Sequence, residues 1–313
     1  MDITLEDAGS GLTPETAALL DRCAVADDHA PFGEHTLLAL HGQRQVGHAL
    51  VRCLQGGRLV GCAALSEGIE AWYVELAVDP AARGQGVGTA LVGGARAHVL
   101  EHGGGVLRSW AHARPGRSAS PGAPPSGWSV QRSLHVLDRP LDAAPAPLPV
   151  PAGLRLRALD PSSGADRDAW LALSNAAFVG HPENGGWDRS EVDWRMQAAW
   201  TDGARFPVLE DAAGALRAGV CTKREPGGTD GELYVVAVDP DAQGQGLGRV
   251  VVAEALRDLH RSGCRRALLY VDEGNVAAQA LYARAGFGLH HVDRCLQQQV
   301  GVPAPMADHA RLS

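Results

Sequence analysis

Eighteen residues from Glu75 to Val92 recur from Val235 to Val252, identical at ten positions and displaced by 160. A period of that size is a domain rather than a solenoid unit, so the 313-residue chain must carry two copies of one fold, head to tail. Each copy is long enough to bury a core of its own. In both, a β-branched run of strand length stops at an Asp-Pro pair, because proline has no N–H to donate and its φ is set. A glycine-rich loop follows and opens a helix. In the second copy Gly244, Gly246 and Gly248 lead into Leu247, Val250, Val251, Ala255, Leu256 and Leu259 at helical spacing, with Gly263 as the stop. Such a loop offers unpaired N–H groups and the positive end of a helix dipole to an anion such as pyrophosphate.

Spelling narrows the kind of loop. A P-loop needs Gly-Lys-Ser/Thr, but Arg249-Val250 follows Gly248 and the sole lysine, Lys223, lies before the strand. A dinucleotide fingerprint needs G-x-G-x-x-G directly after its strand, whereas here G-x-G-x-G stands behind the Asp-Pro turn. What remains, Gln243-x-x-Gly246-x-Gly248, resembles the pyrophosphate loop of the GNAT superfamily of N-acetyltransferases, and Arg83-x-x-Gly86-x-Gly88 repeats it. The resemblance implies an α/β (α+β) chain of two tandem GNAT domains, each a mixed, mostly antiparallel sheet flanked by helices, with acetyl-CoA as cosubstrate.

The expected division is an N-terminal domain over 1–138, a proline-rich linker over 139–153, a C-terminal catalytic domain over 154–300 and a tail over 301–313. In the first domain a short helix over 34–40, strands over 46–54, 59–65 and 72–78, and a helix over 86–101 precede a strand over 106–111. The pattern then thins into the Pro, Ser, Gly and Ala of residues 114–127 before strand character returns over 128–137. The second domain repeats the order and closes with a hairpin over 287–298.

The net charge of −8 argues against a nucleic-acid partner, whose phosphates call for a basic face. Cysteines at 23, 53, 62, 221, 264 and 295 show no Cys-x-x-Cys spacing and read as reduced core thiols. The opening residues have neither a basic nor an apolar signal region, and no stretch reaches the length of a membrane span. A cytoplasmic monomer without metal is the expectation, with His290-His291 a surface pair.

The GNAT resemblance assigns roles. Backbone of Val236, Ala237 and Val238 is expected to pair with the pantetheine arm as an added strand would. Gln243, Gly244, Gln245, Gly246, Leu247, Gly248 and Arg249 form the cradle, joined by Asn275, Val276, Ala277, Ala278, Gln279 and Ala280. The segment from Asn275 to Tyr282, followed by Gly286-Phe287, resembles the family's N-x-x-A-x-x-x-Y, in which the tyrosine protonates the departing thiolate. Glu232, at the mouth of the cradle strand, is either a solvated strand-end acid or the general base for the attacking amine. In the first domain Leu76, Ala77, Val78, Gly84, Gln85, Gly86, Val87, Gly88 and Thr89 keep the acetyl-CoA pattern. That half has no asparagine, and its one tyrosine is Tyr73, so its leaving-group acid is missing and it is expected to be inactive.

One loop is more distinctive. Residues 175–187, with Asn175, Phe178, His181-Pro182-Glu183 and Gly185-Gly186-Trp187, then Lys223 and Leu269-Tyr270-Val271, resemble the mycothiol acetyltransferase (mycothiol synthase) family of tandem GNAT proteins. The family acetylates the cysteinyl amine of cysteinyl-glucosaminyl-inositol. By that resemblance Glu183, Lys223, Glu232 and Tyr270 contact this small polar substrate, with Glu34 contributed by the first domain. Asn184 departs from the family's more common glutamine. The rival readings are a tandem GNAT enzyme acting on another small amine or a protein N-terminus, and a non-catalytic acetyl-CoA sensor.

Overall fold

The structure, a computed structural model, describes residues 2–7, 12–27, 30–33, 36–37, 40, 48–68, 70–113, 121–179, 187–197, 206–224 and 227–301. The chain forms two compact units, one from Met1–Ser133 with the stretch from His291, the other from Leu134–His290.

The first unit contains β1 (Asp2–Asp7), α1 (Pro14–Asp27), β2 (His48–Gln55), β3 (Arg58–Glu67), β4 (Trp72–Val78), α2 (Val87–Glu101) and β5 (Gly105–Ala111). The second takes most of β6 (Ser129–Pro140), then β7 (Leu154–Leu159), α3 (Gly164–Ala177), α4 (Arg189–Gln197), β8 (Phe206–Asp211), β9 (Leu216–Lys223), β10 (Asp230–Val238), α5 (Leu247–Arg261), β11 (Arg266–Asp272) and α6 (Val276–Arg284). The last strand, β12 (Gly288–Val300), runs antiparallel to β5.

Strand order is β1-β2-β3-β4-β5-β12 in the first unit and β6-β11-β10-β9-β8-β7 in the second. Among the described pairings within each unit, β4–β5 and β10–β11 are parallel and the rest antiparallel, as expected of a mostly antiparallel mixed sheet. In the second unit α5 covers one face with Leu247, Val251, Ala255 and Leu256 over Ala218, Val220 and Leu269. The other face carries Trp170, Leu173 and Val192 from α3 and α4. Each fully buried leucine or valine contributes about 1.5 to 3 kcal/mol, which is what holds the helices on the sheet.

One expectation changes, and two features are added to the reading. The closing hairpin over 287–298 is instead the single strand β12, paired from Arg294↔Ala111 to Val300↔Gly105. No Gly, Pro or Asn lies between Leu289 and Val300 to make a turn, and the edge of β5 needs a partner. Residues 2–7, which carry no clear strand signal, add β1 to the edge of β2. The linker is not a bare spacer: Leu141 is buried, its N–H donates to Arg265 O at 2.8 Å, and Pro145 O accepts from Arg257 at 2.9 Å. The short helix over 34–40 falls largely outside the described residues, as does the tail beyond residue 301.

Candidate active site

Strand β10 is zipped to β9 from Glu232 to Val238 but to β11 only at Asp230–Glu232, opposite Arg266–Leu268. Beyond that point the two parallel strands part. At that point β10 is irregular: Leu233 faces Thr222 and Val235 faces Cys221, so Tyr234 is the extra residue of a β-bulge. The bulge inverts side-chain alternation. Leu233 packs on the α5 side, and after the bulge Val236 and Val238 face that side while Val235 and Ala237 face α3. Past the bulge, the Asp239 N–H donates to Arg217 O at 3.0 Å. Alternation therefore turns the polar backbone of Ala237 to β9 and that of Val236 and Val238 into the wedge, where an extended chain can pair with it.

The strand ends because Asp239 accepts from the Asp241 N–H at 2.9 Å, capping the single turn Pro240–Ala242. Gly244 and Gly246 then sit at φ 75° and 80°, the left-handed region that costs other residues about 1 to 2 kcal/mol. Gly246 is the N-cap of α5 and has no side chain to satisfy the first-turn amides, which face outward with the dipole behind them. Gln243, Gln245 and Arg249 are exposed around this cradle. A Cβ on Gly248 would lie 3.2 Å from Leu281 and 3.4 Å from Val238, so glycine there lets α6 close on the cradle.

Helix α6 starts at Asn275, whose Oδ1 accepts from the Ala278 N–H at 3.0 Å. The asparagine of the motif is thus the helix cap. Val276, Ala277 and Ala280 are exposed, and Gln279 reaches back to Glu273 O at 2.7 Å. Two turns on, Tyr282 is 7% exposed and packs edge-on against Phe287, ring centroids 6.0 Å apart. Burial alone pushes its phenol well above the ordinary range, so it is fully protonated at neutral pH.

On the acceptor side Glu232 stands opposite Lys223 across β10 and β9, both half-buried. Tyr270, 45% exposed, is two residues along β11 from Leu268, the partner of Glu232. Because Leu233, Leu269 and Val271 point toward α5, Glu232, Lys223 and Tyr270 share the opposite face. Tyr234, the bulge residue, brings its ring to 6.0 Å from Lys223 Nζ. The adjacent Val235-Val236 pair, which breaks alternation, was its only trace in the sequence. Asn175 closes the base of the distinctive loop: its Nδ2 donates to Trp187 O and its Oδ1 accepts from the Trp187 N–H, both at 2.9 Å. Trp187 in turn lies 4.1 Å beneath the Arg195 guanidinium. Glu183, Asn184 and Glu34 lie outside the described residues.

In the first unit Gly84 and Gly86 repeat the loop at φ 75° and 82°, and β4 pairs β5 only at Trp72–Tyr73. A cavity of about 700 Å³ runs along Leu76, Ala77, Val78, Gly86, Gly88 and Thr89. Gln85 folds back to Ala81 O at 3.1 Å. Two features differ. The β3–β4 register is unbroken, so there is no bulge, and Tyr73 opposite Ser66 stands where the second unit has Glu232 opposite Lys223. Among the described residues no helix follows β5 to supply a counterpart of Tyr282. All six cysteines are buried and outside any disulfide, and no cluster able to hold a metal occurs among the described residues. No helix among them is long and apolar enough to cross a membrane. His291 is not simply a surface residue, since its Nε2 lies 3.4 Å from the buried Asp293.

The chain matches the Acetyltransferase (GNAT) family over residues 14–120 and 168–287. It is 43% identical over 284 residues to the mycothiol acetyltransferase of Salinispora arenicola, covering 88% of this chain and 90% of the relative. Against the mycothiol acetyltransferase of Streptomyces coelicolor the identity is 40% over 291 residues, 90% and 91% covered. Among solved structures, a tandem GNAT protein from the clavulanic acid biosynthesis pathway superposes with a TM-score of 0.70 at 18% identity, over 97% of this chain and all of the other. A GCN5-related N-acetyltransferase from Sphaerobacter thermophilus gives 0.66 at 18% identity, over 97% and 98%; these two show the fold. The wedge, the anion cradle and the buried tyrosine thus occur in a chain whose relatives share about nine-tenths of its length, and the chain belongs to the mycothiol acetyltransferase family of GNAT proteins.

Proposed function

We propose that the second unit transfers acetyl from acetyl-CoA to the cysteinyl amine of cysteinyl-glucosaminyl-inositol, giving mycothiol. The observation that carries this reading is the early end of the β10–β11 ladder, with backbone of Val236 and Val238 turned into the wedge between the α5 cradle and Tyr282. Unpaired amides at the start of α5 suit a pyrophosphate, and the wedge suits an extended amide-bearing arm. Acetyl-CoA supplies an acetyl group activated as a thioester.

Glu232 takes a proton from the substrate ammonium, directly or through a water. An α-amine titrates near about 8, so a carboxylate relay suffices. The amine nitrogen attacks the thioester carbon, the C–N bond forms and the C–S bond breaks. Tyr282 donates its proton to the departing sulfur, and the second proton shed by the nitrogen restores the phenol through solvent, for a net release of one proton. Lys223, Tyr270, Glu183 and Glu34 hold the polyhydroxylated acceptor, for which carboxylates, an ammonium and a phenol are suitable partners. The first unit holds acetyl-CoA along Leu76, Ala77 and Val78 without turning it over.

Release of CoA by the purified protein with the pseudodisaccharide, compared with cysteine, glucosamine and a peptide amine, tests the proposal. A strong preference for the whole acceptor is expected. Equal turnover of the fragments would discard the substrate and keep the transferase chemistry.

A further inference from the structure

Helix α6 has only nine residues, and Tyr282 is its one buried side chain. A helix that short does not hold its shape alone, so its place is set from outside. Its C-terminal end is a Schellman turn. Gly286 sits at φ 84°, its N–H donates to Ala283 O at 3.0 Å, and the Phe287 N–H donates to Tyr282 O at 3.0 Å. The contact between the Tyr282 and Phe287 rings is the apolar clasp that accompanies such a turn. The turn does not reach Ala285 O, and that oxygen accepts from Arg139 Nη1. The same guanidinium lies along Gly286, where an added Cβ would stand 3.6 Å from its Nε and Cζ.

Arg139 is the first residue of the stretch that reads as a linker, yet it belongs to β6 and stands opposite Ala267 of β11. Leu137 and Ala267 face α5, so alternation turns Arg139 to the face on which α6 packs. Because β11 is the strand that parts from β10, Arg139 ties the end of α6 to a wall of the wedge, and a cation there also suits the helix dipole. The first unit supplies the comparison. Its Trp72↔Leu107 pair corresponds to Gly231↔Ala267, and Leu107 stands opposite Gln298 of β12. Gln298 therefore occupies the position of Arg139, and its Nε2 is buried without a hydrogen-bond partner among the described residues. The cation occurs in the copy that keeps the tyrosine helix.

We infer that Arg139 is a positioning residue for acetyl transfer, holding the end of α6 against β11 and so setting where the Tyr282 hydroxyl stands. The inference rests on the reading of Tyr282 as the leaving-group acid and is independent of which amine accepts the acetyl group. An acid must come within hydrogen-bond reach of the departing sulfur, and a displacement of about 1 Å costs up to about 10²-fold in rate.

The test is a double-mutant cycle in the full chain, read as CoA release at saturating acetyl-CoA and cysteinyl-glucosaminyl-inositol. In Arg139→Met kcat should fall about tenfold while both KM values stay within about twofold. In a Tyr282→Phe background the same substitution should cost less than about twofold, since no acid is left to misplace. Arg139→Lys keeps a cation for Ala285 O and should restore kcat to within about threefold of the parent protein. Arg139→Gln, which copies the first unit, is a second neutral variant and should show the same split as Arg139→Met. If Tyr282→Phe is slow but both neutral variants turn over like the parent, the inference is overturned and Tyr282 remains the acid. Equal losses in the two backgrounds, a rise in KM in place of the fall in kcat, no recovery in Arg139→Lys, or loss of the folded circular dichroism spectrum in both neutral variants would make Arg139 a stabilising residue only, and overturn it. Parent-like turnover by Tyr282→Phe itself would sink the reading of Tyr282 and this inference with it.

Discussion

Replacing Tyr282 by phenylalanine removes one oxygen from a residue that is 93% buried and leaves the ring against Phe287. Among the described residues no hydrogen bond reaches that hydroxyl, so the fold loses no partner and the buried side chain loses a polar atom. The thermal midpoint should therefore change little, since the ring and its contact with Phe287 are kept. Catalysis should respond in the opposite direction. The burial that lifts the phenol pKa keeps its proton in place, and an ordinary thiol near about 8.5 leaves poorly without a donor. Positioned general acids contribute about 10²- to 10⁴-fold, or roughly 3 to 5 kcal/mol of barrier, so kcat should fall by that range. KM for acetyl-CoA should move less than about twofold, because the hydroxyl acts on the leaving group and not on the cradle. The assay is CoA thiol release under saturating acceptor, beside direct titration of acetyl-CoA binding. A kcat within about threefold of the parent protein would remove Tyr282 from the chemistry; a large loss of acetyl-CoA affinity would reassign it to binding.

Glu232→Gln should slow turnover most below about pH 8, where the amine carries a proton, and the deficit should narrow above it as free amine accumulates. A deficit independent of pH would make Glu232 a binding residue only. Gly246→Ala places a side chain at φ 80°, costing about 1 to 2 kcal/mol and raising KM for acetyl-CoA at least severalfold in steady-state assays, with the acceptor KM unaffected. Asn175→Ala releases both hydrogen bonds to Trp187, so KM for the acceptor should rise while that for acetyl-CoA holds, the reverse split. Burial raises the Asp293 carboxyl, but hydrogen bonds from His112 and His291 outweigh it and hold it well below the ordinary range. A depressed folded-state pKa contributes stability above about pH 4 that is lost as pH falls toward the folded value. Asp293→Asn should flatten that acid dependence and lower the melting temperature at neutral pH by several degrees, as calorimetry would show.

The repeat, the two glycine loops and the strand-turn-helix around each were legible in residue order because they are local. A positive φ needs glycine, a strand stops at Asp-Pro, and an apolar stripe at helical spacing makes α5 wherever the rest of the chain lies. Asn275 and Tyr282 were readable for the same reason, being two turns apart on one helix. What only the tertiary structure decided is non-local. The bulge at Tyr234 exists through the register between β9 and β10, and it puts Leu233 and Val236 on one face beside the wedge. The partner of β12 could not be inferred from its own residues, since a run without turn formers is equally able to join any open strand edge, and β5 took it.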